Sequence, residues 1–144
     1  MLVLKWAQTA KDKEMCFSIR EAVFIKEQGF QGEFDAIDEV ACHLLAMEDG
    51  VPVGTARLFL DAGRYTVGRI CLLPQARGSG YGRAMMEAIE TKARLLGADR
   101  IYLGAQLRAR GFYARLGYQT EGDEFLDEYC PHIRMFKELK PSYR

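Results

Sequence analysis

Residues 74–86 read PQARGSGYGRAMM. Glycines alternate at 78, 80 and 82, arginines flank them at 77 and 83, and helix-forming residues follow at once. The apolar run RICLL precedes the stretch at 69–73, and Pro74 ends it, because proline has no backbone donor for a ladder. A strand feeding a glycine turn and then a helix presents consecutive N–H groups outward. At a helix N-terminus those donors lack intrahelical partners, and the macrodipole adds roughly half a positive charge. Phosphate is the natural guest of such a turn. Glycine lets the backbone approach the anion, and Arg77 and Arg83 bring full charges.

Two nucleotide-binding patterns fail on spacing. G-x-x-x-x-G-K-[ST] is absent, and Arg83 stands where a dinucleotide fold would place its third glycine. Outward from the turn, Leu2 to Trp6 suits a first strand, and Met15, Ile19, Ala22 and Val23 recur at helical spacing between Asp12 and about Lys26. GFQGEFDAIDE reads as a loop or a short second helix. His43 to Met47, Val53 to Leu60 and Tyr65 to Leu73 are strand-like runs joined by EDGVP and DAGR, an antiparallel meander. A helix from Arg83 to Leu96 closes at Gly97, and Arg100 to Leu103 is a strand parallel to the third run of the meander. RARGFYARLGY predicts a short helix, and Tyr118 to Thr120 and His132 to Lys137 predict closing strands. The fold class is α/β (α+β mixed sheet), with six to seven strands flanked by helices, in one domain spanning 1–144.

Composition narrows the partners. Twenty basic and twenty acidic residues cancel, so no overall basic field draws the chain to nucleic acid. No apolar run approaches the roughly 20 residues that cross a bilayer. The short apolar run at the N-terminus has no positive stretch ahead of it, unlike a secretory signal. Cysteines at 16, 42, 71 and 130 form no C-x-x-C pair, so no metal site is expected, and reduced thiols point to a cytoplasmic protein.

RGSGYG (77–82) matches the R-x-x-G-x-G/A signature of the GNAT superfamily, the acetyl-CoA-dependent N-acyltransferases. FYARLGY (112–118) is similar to that family's F-Y-x-[KR]-x-G-[FY] helix. With REAVFIKEQ, EFDAIDE, GTARL, GRICLLP and EFLDEYCPHIRM the resemblance covers the whole chain, and the combination looks like a small bacterial subgroup. It implies direct acetyl transfer from acetyl-CoA to a primary amine, with no metal and no covalent enzyme intermediate. The pyrophosphate is then expected on the amides of Arg77, Gly78, Ser79, Gly80, Tyr81, Gly82 and Arg83. The pantetheine arm runs along Ile70, Cys71 and Leu72 like an added strand, and Gln106 and Phe112 border the cofactor. Tyr113 aligns with the tyrosine that protonates the departing thiolate in many members. Dimers are common in the superfamily, so a homodimer is an open expectation.

The amine is the harder problem. A group with pKa near 10.4 is neutral in roughly one molecule in 2,500 at pH 7, so a base or desolvation must free it. Glu33, Asp35, Asp38 and Glu39 form one acidic patch, and Glu121, Asp123, Glu124, Asp127 and Glu128 another. Both flank the expected acceptor side and suit a cationic amine. The resemblance favours Asp35, Asp38, Glu124 and His132 as site residues. Arg57 and Arg69 lie within strands, where charge is costly unless paired, and are expected to bind substrate or the first acidic patch. A Cys42–His43 dyad fails because strand neighbours face opposite ways. Two other readings stay open: an acyl-homoserine-lactone-synthase-like enzyme, and an acyl-CoA-binding module without turnover.

Overall fold

The computed structural model describes residues 1–139. Its elements are β1 (Leu2–Trp6), α1 (Ala10–Arg20), β2 (Cys42–Glu48), β3 (Val51–Asp61), β4 (Arg64–Leu72), α2 (Tyr81–Leu95), β5 (Arg100–Gln106), α3 (Arg110–Arg115), β6 (Gln119–Asp127) and β7 (Cys130–Glu138). They form one seven-stranded sheet in the order β1-β2-β3-β4-β5-β7-β6. The meander β2–β3–β4 is antiparallel, β4 and β5 run parallel, and β7 inserts between β5 and β6. The mixed sheet and the order of elements follow the sequence reading.

Helix α1 opens on a reciprocal cap. Asp12 N–H donates to Thr9 Oγ1 at 3.1 Å, and Asp12 Oδ2 accepts from the amides of Gln8 and Thr9. The helix does not stay regular to Lys26: from Glu21 to Glu27 it widens into a π-helical stretch. Such insertions shift the register of the buried face. Here Val23 and Phe24 turn inward beside Cys16, Ile19 and Phe30. Helix α2 starts two residues before the expected Arg83 and buries Met85, Met86, Ile89 and Ala93 against the other face of the sheet. Gly97, at φ +96°, ends it in the left-handed conformation that favours glycine. Gly54 marks the closest approach across that face: an added Cβ would stand 2.7 Å from Leu72 Cδ2 and 3.1 Å from Met85 Sδ.

Two features split the sheet at its centre. Strands β4 and β5 pair only at Thr66 with Tyr102 and Val67 with Leu103, near their starts. Beyond that point β4 bulges against β3, where Thr55 faces Cys71 but Arg57 faces Gly68, and Arg69 adopts φ +53°. The bulge bends β4 away from β5. Its backbone from 68 to 72 therefore has no strand on the β5 side. Strand β6 extends well past the expected Thr120, so the second acidic patch lies in a strand except for Glu128, which sits in the following turn. Its pairing with β7 is interrupted between Glu121 and Phe125.

Candidate active site

A cleft of about 940 Å³ runs through the split. One end is the glycine turn. Among the described residues, the six consecutive N–H groups of residues 78–83 donate to no protein acceptor, and Ala84 N–H is the first to find one, at Gly80 O. Gly78 and Gly80 hold φ +83° and +81°, and a Cβ on either would meet open space. Unpaired amides around an open concavity at a helix start fit a pyrophosphate. Past them, the free β5-side edge of Ile70, Cys71 and Leu72 suits an extended amide-bearing arm. The residues present therefore fit coenzyme A. Arg77 departs from the expected phosphate role: its Nη1 and Nη2 donate to the Glu27 carboxylate at 2.8 and 2.7 Å, and its Nε to Leu72 O. It ties the turn to the π-helical stretch, and Arg83 is left as the exposed cation beside it.

Tyr113 lines the middle of the cleft, edge-on to Phe112 and Tyr118 at centroid distances of 5.0 and 5.9 Å. The two tyrosines differ in their hydroxyls. That of Tyr118 donates to Glu90 Oε2 at 2.8 Å, whereas that of Tyr113 has no partner among the described residues and is not sealed from the cleft. Burial pushes the Tyr113 hydroxyl well above its ordinary range, so it stays protonated.

Beyond the split, the far end of the cleft is roofed by the β6–β7 hairpin. Glu128 accepts from the amides of Gln31 and Gly32, and Tyr129 stacks on Phe30 while its hydroxyl donates to Gln28 O. Gly104 opens the floor, with Phe125 packed over it and over His132. His132 Nδ1 lies 2.9 Å from Cys130 O, which makes Nδ1 the donor and leaves Nε2 without a partner among the described residues.

Behind this chamber lies a network of three arginines and three carboxylates. Arg20, fully buried, donates to Glu33 Oε2 at 2.9 Å and to Asp38 at 2.6 and 3.1 Å. Arg57, 3% exposed, donates to both Asp35 oxygens and to Asp38 Oδ1. Arg69 reaches Glu33 and Asp35. The arginines hold Asp38 down to about 2 against the cost of its burial, and Arg57 lowers Asp35. Glu33 goes the other way, raised because burial outweighs its arginine partners.

Of the residues singled out in the sequence, Ile70, Cys71, Leu72, Gly78, Gly80, Tyr81, Gly82, Arg83, Gln106, Phe112, Tyr113, His132, Arg57 and Arg69 line the cleft. Ser79 sits on the turn with its amide unpaired and its side chain off the lining. Asp35 and Asp38 stand behind Arg57 rather than in the cleft. Glu124 does not join them, being exposed on the irregular part of β6. Arg20 went unnoticed in the sequence, although it falls four residues after Cys16 and three before Val23, on the inward face. Gln28, Phe30, Gly104 and Phe125 carried no comparable signal.

A mixed sheet split at its centre, with an amide cradle at one mouth of the split, is the architecture of acyl-CoA N-acyltransferases. Known proteins agree. A model of the acetyltransferase (GNAT) domain matches residues 7–139. A Bacillus subtilis protein provisionally named an acetyltransferase is 36% identical over 140 residues, 94% of this chain and 95% of its own. The crystal structure of an acyl-CoA N-acyltransferase from Pseudomonas aeruginosa matches with a TM-score of 0.84 at 29% identity, over 95% of this chain and 98% of that one. An N-acetylglutamate synthase from Neisseria gonorrhoeae, complexed with coenzyme A and N-acetyl-glutamate, shares the fold at a TM-score of 0.74 and 21% identity, over 97% of this chain and 35% of its own. The chain belongs to the GNAT acetyltransferase family. No helix among its described residues is long and apolar enough to cross a membrane.

Proposed function

We propose that the protein transfers an acetyl group from acetyl-CoA directly to a primary amine. The observation that carries this reading is the run of six unpaired amides at residues 78–83, opening onto the free edge of β4. The turn amides and the α2 N-terminus bind the pyrophosphate, and the backbone of 70–72 binds the pantetheine arm. The thioester is then held where β4 and β5 part. Tyr113, unpartnered and protonated, gives its proton to the thiolate as the C–S bond breaks. Tyr118 cannot serve, because its hydroxyl is held by Glu90.

The acceptor enters from the hairpin side. Arg57 and Arg69 are already compensated by Asp35, Asp38 and Glu33, whereas Asp61, Asp127 and Glu128 also line the cleft. These carboxylates favour a cationic amine. His132 Nε2 is placed to accept a hydrogen bond from that amine. Asp35 and Asp38 act by fixing Arg57 and the loop that carries Glu33.

Calorimetric titration with acetyl-CoA and desulfo-CoA, on wild type and Gly80→Glu, tests the reading. The added side chain meets open space, so the variant should fold, with an order of 1–2 kcal/mol lost to the left-handed backbone. Micromolar binding by wild type, lost in a folded variant, is expected. No binding by wild type would overturn the acetyltransferase reading.

A further inference from the structure

We infer that Glu33 is the proton acceptor for the incoming amine. The inference deepens the acetyltransferase reading and rests on it. Glu33 is 4% exposed, yet it lines the cleft. Its two carboxylate oxygens are used differently. Oε2 accepts from Arg20 Nε at 2.9 Å and has Arg69 Nε at 3.0 Å as an ion-pair neighbour, while Oε1 accepts no hydrogen bond from the described residues. The buried side-chain atoms that are both sealed and unpartnered are His43 Nδ1 and Arg57 Nε. Oε1 is not one of them, so it is not sealed, and Glu33 is among the residues that line the cleft.

The placement is rigid. Arg20 Nη2, Arg69 Nε and Arg69 Nη2 all donate to the Glu33 carbonyl oxygen, at 3.0, 3.2 and 3.0 Å. Glu33 is thus fixed through backbone and side chain to Arg69, the residue at the bulge that parts β4 from β5. Cys71, two residues on, feels the Glu33 charge. A purely structural carboxylate in so dense a cationic cluster would be expected to use both oxygens. This one leaves an oxygen free on a residue that lines the cleft.

Charged groups face Glu33 from the neighbouring elements: Arg20 from α1, Arg57 from β3 and Arg69 from β4, with Asp35 and Asp38 beyond the arginines and Glu128 of the hairpin bound to the adjacent Gly32 amide. Burial outweighs the three arginines and lifts the carboxyl toward the pH at which a base works. In the reaction, Glu33 Oε1 takes a proton from R–NH3⁺. The amine lone pair then forms the C–N bond, the C–S electrons leave on sulfur, and Tyr113 protonates that sulfur. The adduct loses its second N–H proton to restore Tyr113 through water, Glu33 releases its own to solvent, and one proton is liberated per turnover.

The test compares Glu33→Gln, Glu33→Asp and His132→Gln, after melting curves and acetyl-CoA calorimetry establish which are folded and loaded. Thiol release from acetyl-CoA is followed with spermidine, ethanolamine and glycine between pH 6 and 10. Glu33→Gln should lose at least about 100-fold in kcat at pH 7 with the acetyl-CoA KM unchanged. Its deficit should shrink about tenfold per pH unit, because free amine from solution replaces the lost base. Glu33→Asp keeps the charge but withdraws the carboxylate, and should recover folding without recovering rate. His132→Gln should keep the wild-type pH slope. A carbon-13 titration of glutamate carboxyls decides without any acceptor: the signal missing from both Glu33→Gln and Glu33→Asp should titrate above the ordinary carboxylate range. A Glu33 signal at or below that range, or a deficit constant across pH, would overturn the inference. Failure of wild type to bind acetyl-CoA would instead sink the acetyltransferase reading.

Discussion

Tyr113→Phe removes one oxygen, and the structure separates its effect on rate from its effect on stability. The hydroxyl has no partner among the described residues, so no hydrogen bond is lost. The ring contacts with Phe112 and Tyr118 survive. Stability should therefore move by no more than about 0.5 kcal/mol, or roughly 2 °C in Tm. General acids contribute about 100- to 10,000-fold, and a thiol of pKa about 8.5 leaves readily, so the lower end applies. A fall of about 100-fold in kcat, some 2.7 kcal/mol of transition-state stabilisation, is expected with the acetyl-CoA KM unchanged. Thiol release with the amine that wild type turns over reads both constants. Because burial keeps the wild-type hydroxyl protonated through the alkaline range, no basic limb from Tyr113 should appear below about pH 10. A kcat within threefold of wild type would show that the hydroxyl delivers no proton. A loss of rate accompanied by a Tm drop above 10 °C would mean that the ring is a packing element instead.

The buried ion network makes two further predictions. Arg57→Met leaves Asp35 with its 3.4 Å contact to Arg69 and the Ile37 amide at 3.1 Å, while Asp38 keeps Arg20. Removing one partner of a buried pair costs about 3–5 kcal/mol, and these remaining contacts place the loss near 3 kcal/mol, or roughly 10 °C in Tm by scanning calorimetry. A change below 2 °C would contradict the network's role. Asp38 is depressed from 3.8 to about 2, so its share of stability is complete above pH 4 and disappears as pH falls from about 4 toward 2. The share amounts to about 2 kcal/mol, and Tm measured between pH 6 and 2.5 should decline less steeply in Asp38→Asn than in wild type. Parallel curves would refute it.

What the sequence disclosed depended on the range over which each signal acts. The cradle is local: Gly78 and Gly80 supply positive φ, and the amides of 78–83 go unpaired because a helix begins there. Such features survive in a string of thirteen residues. The order of elements along the chain was legible for the same reason, since the Asp49-Gly50 turn, Pro74 and Gly97 act on their immediate neighbours, whereas the insertion of β7 between β5 and β6 was not. The π-helical stretch was not, because the 3.6-residue spacing of Met15, Ile19 and Val23 continues into it. Its cause is the tertiary demand that Val23, Phe24 and Phe30 close the α1 face.

The acceptor chamber is assembled over distance, and its chemistry follows from pairings no local pattern encodes. Four acidic residues were visible in the first patch and five in the second, equivalent by type. What sets them apart is which arginine each meets. Arg20 lies 18 residues from Asp38, and Arg69 meets Glu33 across 36 positions. Asp35 and Asp38 are drawn into strong ion pairs that hold them ionised and keep them poor proton acceptors at neutral pH. Glu33, in the same segment, is buried beside the bulge with one oxygen spared, and among the described residues it combines a raised pKa with a place in the cleft lining. The arginines thus do more than neutralise a patch. By taking up Asp35 and Asp38 they remove two competing bases, and they hold the third against the strand where the sheet divides.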